Sequence, residues 1–354
     1  MDTSMRVSHP ALQRFMTAAF EKAGLPPADA STVAGLMADA DLQGSDGHGV
    51  TRLPNYVKRI RAGGVNRNPD IRVVEERPAT ALLDGDNAMG QLVMKQAAEL
   101  AVRKARAAGV AWVGARLSNH AGPASLYARM ALPHDMIGLY FAVGNANHLP
   151  PWGGLDLLLS TNPIAVAVPA GEEGPIVLDM ATTVAAYGKV KAKAQRGESM
   201  PVGWMIDRQG RPLTDPKRAD EGFLLPIGDY KGYGLALIVG LLAGTLNGAA
   251  MGKDVIDFNR DAAGVTNTGQ AIVAIDIGAF GDPRAFKAAV DTVIRDLRGS
   301  TRMPGVDRIW MPGEQSNARR AEYSHSGIPV APALVGILRG LAAELGIPPL
   351  EGDR

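Results

Sequence analysis

Cysteine is absent from the 354-residue chain. That removes disulfides, thiolate nucleophiles, thiolate zinc sites and iron-sulfur clusters together, so any catalysis must use other groups. An excess of charge of either sign is also missing: 37 Lys and Arg face 36 Asp and Glu, scattered along the chain rather than gathered in runs. Neither a nucleic-acid partner nor a membrane surface is expected from that balance. No apolar run approaches the length needed to cross a bilayer. The opening stretch MDTSMRVSHPALQRFM lacks the basic start, apolar run and cleavage site of a secretory signal, so a cytoplasmic protein is expected. The six histidines stand singly, with no HExxH pair, and no metal site is expected. GxSxG elbows and Walker loops are missing too, which leaves hydrolase and NTPase readings without their parts.

What is present is an ordinary globular balance, 46% hydrophobic and 21% charged, with length for two domains or one large one. Leu12, Phe15, Met16, Ala19 and Phe20 keep helical spacing from Ser8 to Gly24, and Val33, Leu36, Met37 and Ala40 mark a second helix that stops at Gly44. A third run, Leu53–Arg61, ends at Gly63-Gly64, and 66–69 reads as a linker. From about residue 71 strand-like runs (80–83, 110–113, 136–143, Ile164–Val168, 176–178, 271–277) alternate with Ala-rich helical ones at 92–108 and 121–132. Residues 235–246 read as a buried apolar helix, and 330–345 return to helix. The simplest architecture is a helical domain from both termini, residues 1–74 with 305–354, around an α/β domain at 75–304.

Four stretches can carry chemistry. In Asp46-Gly47-His48-Gly49, flanking glycines leave room for a ligand to approach an imidazole that titrates near neutrality, and Arg52 four residues on can grip a carboxylate. Together they suit a 2-hydroxy or 2-oxo acid, while an Asp/Gly turn whose histidine caps helix carbonyls fits the same letters. Ser118, Asn119 and His120 follow a strand and precede a helix, where unpaired N–H groups can meet a ligand oxygen or simply be capped. Asp179 follows a strand, with Thr182 and Thr183 opening a helix that bears Lys189, Lys191 and Lys193. That junction suits a nucleotide phosphate; Asp179 could equally orient a histidine or cap the helix, and the lysines form a solvated face. Lys231 sits at the mouth of the glycine-rich turn in LLPIGDYKGYGLAL, a near match to the dinucleotide fingerprint with Leu237 in place of its third glycine.

Taken in order, GSDGHGVTRLPNYVKRIRAGGVN, SNHAG, PPWGG, STNPIAVAVP, VLDMATT, LLPIGDYKGYGLAL and MPGEQS resemble the malate/L-lactate dehydrogenase family, which includes sulfolactate and ureidoglycolate dehydrogenases and piperideine-2-carboxylate reductases. The resemblance implies an oxidoreductase using NAD or NADP, with a non-Rossmann α/β fold whose mixed sheet is largely antiparallel, working as a homodimer on a small 2-oxo or 2-hydroxy acid. It implies His48 as general acid/base, Arg52 as the substrate-carboxylate ligand, Asp179 as the acid that holds the histidine, and His120 near nicotinamide and substrate with a rival claim to the proton. It further implies cofactor binding by Ile176, Leu178, Asp179, Met180 and Ala181, by Asp229, Tyr230 and Lys231, and by Gly313, Glu314 and Gln315. Gly47 departs from the many relatives that carry serine there, which takes the serine out of any Ser-His-Asp relay. The rival expectations are a cyclic imino-acid reductase and an idle relative that only binds a nucleotide.

Overall fold

The computed structural model describes residues 4–352. The chain opens with β1 (Met5–Val7), α1 (His9–Ala23), α2 (Pro27–Leu42) and α3 (Leu53–Arg61). A hairpin and a crossover follow as β2 (Arg72–Glu76), β3 (Thr80–Asp84), α4 (Gly90–Ala108) and β4 (Val110–Ser118). Next come α5 (Ser125–Ala128), β5 (Met136–Ala142), β6 (Ile164–Val168), β7 (Ile176–Met180) and α6 (Tyr187–Arg196). Then follow β8 (Met205–Asp207), β9 (Gly222–Leu224), α7 (Tyr230–Ala243), β10 (Thr268–Asp276) and α8 (Pro283–Arg298). The chain closes with α9 (Glu314–Ser326), β11 (Ile328–Val330) and α10 (Pro332–Leu345).

Both ends of the chain build one core. Leu12, Met16 and Phe20 form the apolar stripe of α1 and pack with Val33 and Met37 of α2, with Leu53, Val57 and Ile60 of α3, and with Leu338 and Leu341 of α10. The antiparallel pair β1 and β11, with Val7 opposite Ile328, ties the termini together.

The main sheet has seven strands in the order β2-β3-β4-β10-β5-β6-β7. Only β3 and β4, joined through α4, run parallel; every other neighbouring pair is antiparallel. A doubly wound parallel sheet is therefore excluded, which accounts for the incomplete dinucleotide fingerprint. Alternation along β10 sends Ile272 and Ala274 into the core shared with Val93, Met94 and Ala97 of α4, and Ala271 and Val273 into the core shared with Val239 and Ala243 of α7. A small lobe of α6, β8 and β9 closes around Val190, Met205 and Leu224. Among the described residues no helix is long and apolar enough to cross a membrane, and no cluster of residues is suited to hold a metal.

Four expectations need correction. Residues 121–132 form only the short α5 and a 3-10 turn, Arg129–His134, because Gly122-Pro123 delay the helix and Pro133 interrupts it. Residues 118–120 therefore end a strand and enter a loop rather than opening a helix. No helix starts at Thr182: β7 runs on to Met180, Thr183 bridges to Pro226, and α6 begins at Tyr187. Finally, α7 starts earlier than residue 235, and it is not fully buried; Ile238 and Leu241 are exposed, as is Leu246 beyond its end. A helix that is apolar all round meets only one sheet face, so its far side stays uncovered.

Candidate active site

The segment after α2 turns sharply. Ser45 N–H donates to the Ala40 carbonyl, His48 N–H to the Ser45 carbonyl, and the 3-10 turn Val50–Arg52 leads straight into α3. Beneath this loop lies the buried Asp41, whose Oδ2 accepts the Val50 N–H at 2.7 Å. A Cβ at Gly49 would stand 2.0–2.2 Å from that carboxyl, so glycine is required there. Burial lifts the Asp41 pKa well above the usual carboxylate range, countered by the Val50 N–H and reinforced by Asp46. Gly47 is different: a Cβ there meets nothing within 4 Å, so space does not exclude serine.

His48 and His120 come together as stacked rings with centroids 5.5 Å apart, and Phe258 stacks on the other partner, His120, at 5.1 Å. Tyr56 lies beside them, its hydroxyl 2.5 Å from His120 Nδ1, and Gln91 Nε2 donates to that hydroxyl at 3.4 Å. Arg52 is fixed through Nε to the Gly47 carbonyl at 2.7 Å and through Nη1 to Asn259 Oδ1 at 3.3 Å, with its guanidinium 5.7 Å from the Phe258 ring centre. Burial, then the Arg52 charge, pushes the His48 pKa down to about 4. His120 falls well below its ordinary value through burial, His48 and Arg52 in turn. Burial drives the Tyr56 hydroxyl up to about 12.

The floor of this group is polar and saturated. Arg59 is buried, and its guanidinium donates to the carbonyls of Gly64 and Gly264 at 2.9 Å, to the Asp261 carbonyl, and to Asn119 Oδ1 at 3.2 Å. Asn119 Nδ2 in turn donates to the carbonyls of Asn87 and Ala88. The residue next to His120 is thus bolted to α3, to the turn before α4 and to the loop that carries Phe258.

Asp179 is placed differently from the expectation that it holds a histidine. Its Oδ2 accepts the Ser125 backbone N–H at 2.9 Å, and no hydrogen bond joins it to His48 or His120 among the described residues. Its side chain stays open to solvent on the edge strand β7, and desolvation raises its pKa against the Ser125 bonds and the Arg129 charge. A chain of contacts still links it to the histidine loop: Gln43 Nε2 donates at 3.2 Å both to Ser125 Oγ and to Ser45 Oγ.

The three segments expected to bind cofactor form one ridge. Ile176, Leu178, Met180 and Ala181 are half-buried on and just after the edge strand β7. Val177 N–H donates to the Pro312 carbonyl at 2.9 Å, and Gly313, at φ +82°, approaches so closely that a Cβ would lie 2.7 Å from the Val177 carbonyl oxygen. Backbone bonds from Val184 to Leu225 and from Ile227 to Thr182 then bring in the turn with Asp229, Tyr230 and Lys231, all three exposed. Lys231 has no ion pair among the described residues, whereas Glu314 is committed: it accepts from Arg298 at 3.1 Å, from Arg308, and from the Met311 N–H at 3.0 Å. Gln315 is exposed beside it. An uncommitted ammonium and a half-buried apolar strip suit the phosphates and rings of a dinucleotide. Lys191 lies over the Tyr187 ring and Lys193 pairs with Glu198, so two of the three α6 lysines are tied within their own lobe.

Sequence reasoning missed Tyr56, Gln91, Arg59, Phe258 and Asn259. Tyr56 alone left a signal, since it stands one helical turn after Arg52.

Comparison with known proteins gives consistent matches. The family model described as malate/L-lactate dehydrogenase matches residues 7–339. Malate dehydrogenase of Pyrococcus horikoshii is 37% identical over 97% of this chain and 96% of that protein, and the solved structure of malate dehydrogenase from that organism superposes with a TM-score of 0.91, covering 99% of this chain and 98% of that one. L-Sulfolactate dehydrogenase of Methanocaldococcus jannaschii is 37% identical over 92% of this chain and 93% of that protein. The structure of delta1-piperideine-2-carboxylate reductase from Pseudomonas syringae superposes at 0.84, with 30% identity, 96% of this chain and 100% of that one covered.

Proposed function

The chain belongs to the malate/L-lactate dehydrogenase family and is an oxidoreductase acting on a 2-hydroxy acid, and on that premise we propose that it interconverts a small 2-hydroxy acid and its 2-oxo acid with NAD or NADP. The observation that carries this reading is the convergence of two stacked, half-buried imidazoles and one guanidinium with free hydrogen-bonding capacity. Bound nicotinamide supplies or accepts the hydride at C2. Ile176, Leu178, Asp179, Met180 and Ala181, the turn with Asp229, Tyr230 and Lys231, and Gly313, Glu314 and Gln315 would hold it.

Arg52 holds the substrate carboxylate. Its Nη2 carries no protein bond among the described residues and completes a two-point grip. That contact also bears on the proton chemistry: burial is the larger cause of the depressed His48 pKa and the Arg52 charge the smaller, and a carboxylate that offsets Arg52 relieves the smaller part and moves the imidazole pKa upward. In reduction, protonated His48 gives its proton to the C2 oxygen as the hydride arrives; in oxidation, neutral His48 takes it back. Asp179 acts at a distance through Ser125 and Gln43, steadying the loop that carries His48 rather than the ring. In this reading the helical unit, 1–74 with 305–354, carries the acid/base loop and lends Gly313, Glu314 and Gln315 to the cofactor ridge, whose other two segments belong to 75–304. A homodimer is part of the same proposal, supported by Ile238, Leu241 and Leu246, which a single chain leaves uncovered.

The test is a turnover screen read at the nicotinamide absorbance, with NADH and NADPH against pyruvate, oxaloacetate, sulfopyruvate and piperideine-2-carboxylate. Oxidation of cofactor with a 2-oxo acid is the expected result. A second reading, a cyclic imino-acid reductase, is favoured by the likeness to the Pseudomonas syringae reductase; turnover of the imino acid alone would select it. Tight cofactor binding with no turnover of any of them would sink both.

A further inference from the structure

Behind the paired histidines, Tyr56 and Gln91 form a hydrogen-bond relay that ends on one side of the His120 ring. We propose that Tyr56, anchored by Gln91, is a positioning residue that fixes His120 as its Nε2–H tautomer, making His120 a standing hydrogen-bond donor to the substrate's C2 oxygen and leaving the mobile proton to His48. This rests on the hydroxy-acid reading above and deepens it.

The argument is an inventory of protons. The Tyr56 hydroxyl has one hydrogen, and Gln91 Nε2, an amide N–H₂ with nothing to accept, donates to its oxygen at 3.4 Å. The hydroxyl hydrogen must therefore go to its other partner, His120 Nδ1, 2.5 Å away. Nδ1 is then bare, and a neutral imidazole with a bare Nδ1 carries its hydrogen on Nε2. Rotation of the ring is opposed on both faces, by Phe258 at 5.1 Å and His48 at 5.5 Å, and Tyr56 is only 3% exposed.

The same relay makes His120 a poor proton carrier. Giving up the Nε2 proton would require Nδ1 to be refilled from Tyr56, leaving a tyrosinate in a buried position where the hydroxyl already resists ionisation. A fixed N–H aimed at the oxygen that becomes negative during hydride transfer stabilises that charge without moving a proton. His48 has no side-chain hydrogen bond among the described residues, so its ring is free to exchange protons with substrate and solvent. The reversed relay would need Gln91 turned so that its now unpartnered Oε1 accepts from Tyr56; His120 would then present a bare Nε2, a base.

Nitrogen-15 NMR of the full-length protein labelled at histidine, recorded near pH 8 with and without NADH, reads the tautomer directly. The expected wild-type result is a protonated Nε2 and a bare Nδ1 at His120. Tyr56→Phe should release that signal toward the tautomer mixture of free imidazole and lower kcat about tenfold to a hundredfold, with KM for the acid nearly unchanged. Gln91→Leu should do the same more weakly. A protonated Nδ1 in the wild type, or an unchanged tautomer and kcat in Tyr56→Phe, overturns the proposal. An Nε2–H tautomer that depends on Tyr56, in a protein that turns over no 2-oxo acid, would uphold the positioning of His120 by Tyr56 while overturning the hydroxy-acid reading and, with it, the donor role at C2.

Discussion

His48 and His120 face each other at one site and are built in opposite ways. His48 rides on a glycine-flanked loop whose backbone is fixed by Asp41, while its ring, stacked on His120, has no side-chain hydrogen bond among the described residues. His120 is clamped between two rings, bonded to Tyr56, and set beside an asparagine that Arg59 and two carbonyls hold in place. The difference teaches how two residues of one type divide a task. Transferring a proton needs a group free to change state, whereas stabilising a charge needs one that never does.

The largest break in that comparison comes from His48→Ala, which should lower kcat by about three orders of magnitude in nicotinamide-coupled assays while circular dichroism stays native. Next is Arg52→Met. We expect KM for the acid to rise about a hundredfold, with the loss of a charge-assisted bidentate contact. The same change removes a positive neighbour, so the His48 pKa of the free enzyme should climb from about 4, visible as an upward move of the acidic limb of the pH profile for alcohol oxidation.

Gly49→Ala should act through structure. Its Cβ would collide with the Asp41 carboxyl, and we expect a loss of about 1–3 kcal/mol in urea unfolding together with reduced turnover as the loop shifts. Gly47→Ser should have the smallest effect, because its Cβ meets open space: stability within about 0.5 kcal/mol of wild type, with any change confined to the pH profile and substrate preference. A large stability loss in Gly47→Ser would mean that the two glycines beside His48 are not the unlike positions the structure makes them.

Acid should expose the shared cost of both histidines. Each is held neutral, with a pKa below its unfolded value, so unfolding takes up protons and stability falls as pH drops from about 6.5 toward 4, the interval set by His48. The effect should appear as a lower melting temperature at pH 5 than at pH 7.

Much of this was legible in advance. The stripes of α1 to α3 and most strands of the sheet follow from spacing and from glycine and proline punctuation, and the histidine loop stood out by composition while its letters fitted a plain helix-ending turn as well. What escaped depends on partners far along the chain. Thr182 and Thr183 look like helix caps, yet pairing with residues 225–227 overrides that local preference. Asp179 looks like the acid of a relay, and the nearby Ser125 N–H takes it instead. Phe258 and Asn259 reach His120 and Arg52 from more than a hundred residues away, and nothing in their own neighbourhood marks them. The run at 235–246 reads as core because composition reports how apolar a helix is, not how many of its sides find cover.

The pairing of β1 with β11 has a consequence for how the molecule is made. The core beneath the histidine loop needs Leu338 and Leu341 as much as Leu12, and the ridge proposed to hold the cofactor needs Pro312 and Gly313 beside β7. While the chain is still leaving the ribosome, the main sheet stays open until β10 arrives to pair with β4 and β5, and the site has to wait longer still, for the last fifty residues or so. A chain cut short before Pro312 would therefore lack both the apolar cover of α1 and the Pro312–Gly313 support of β7.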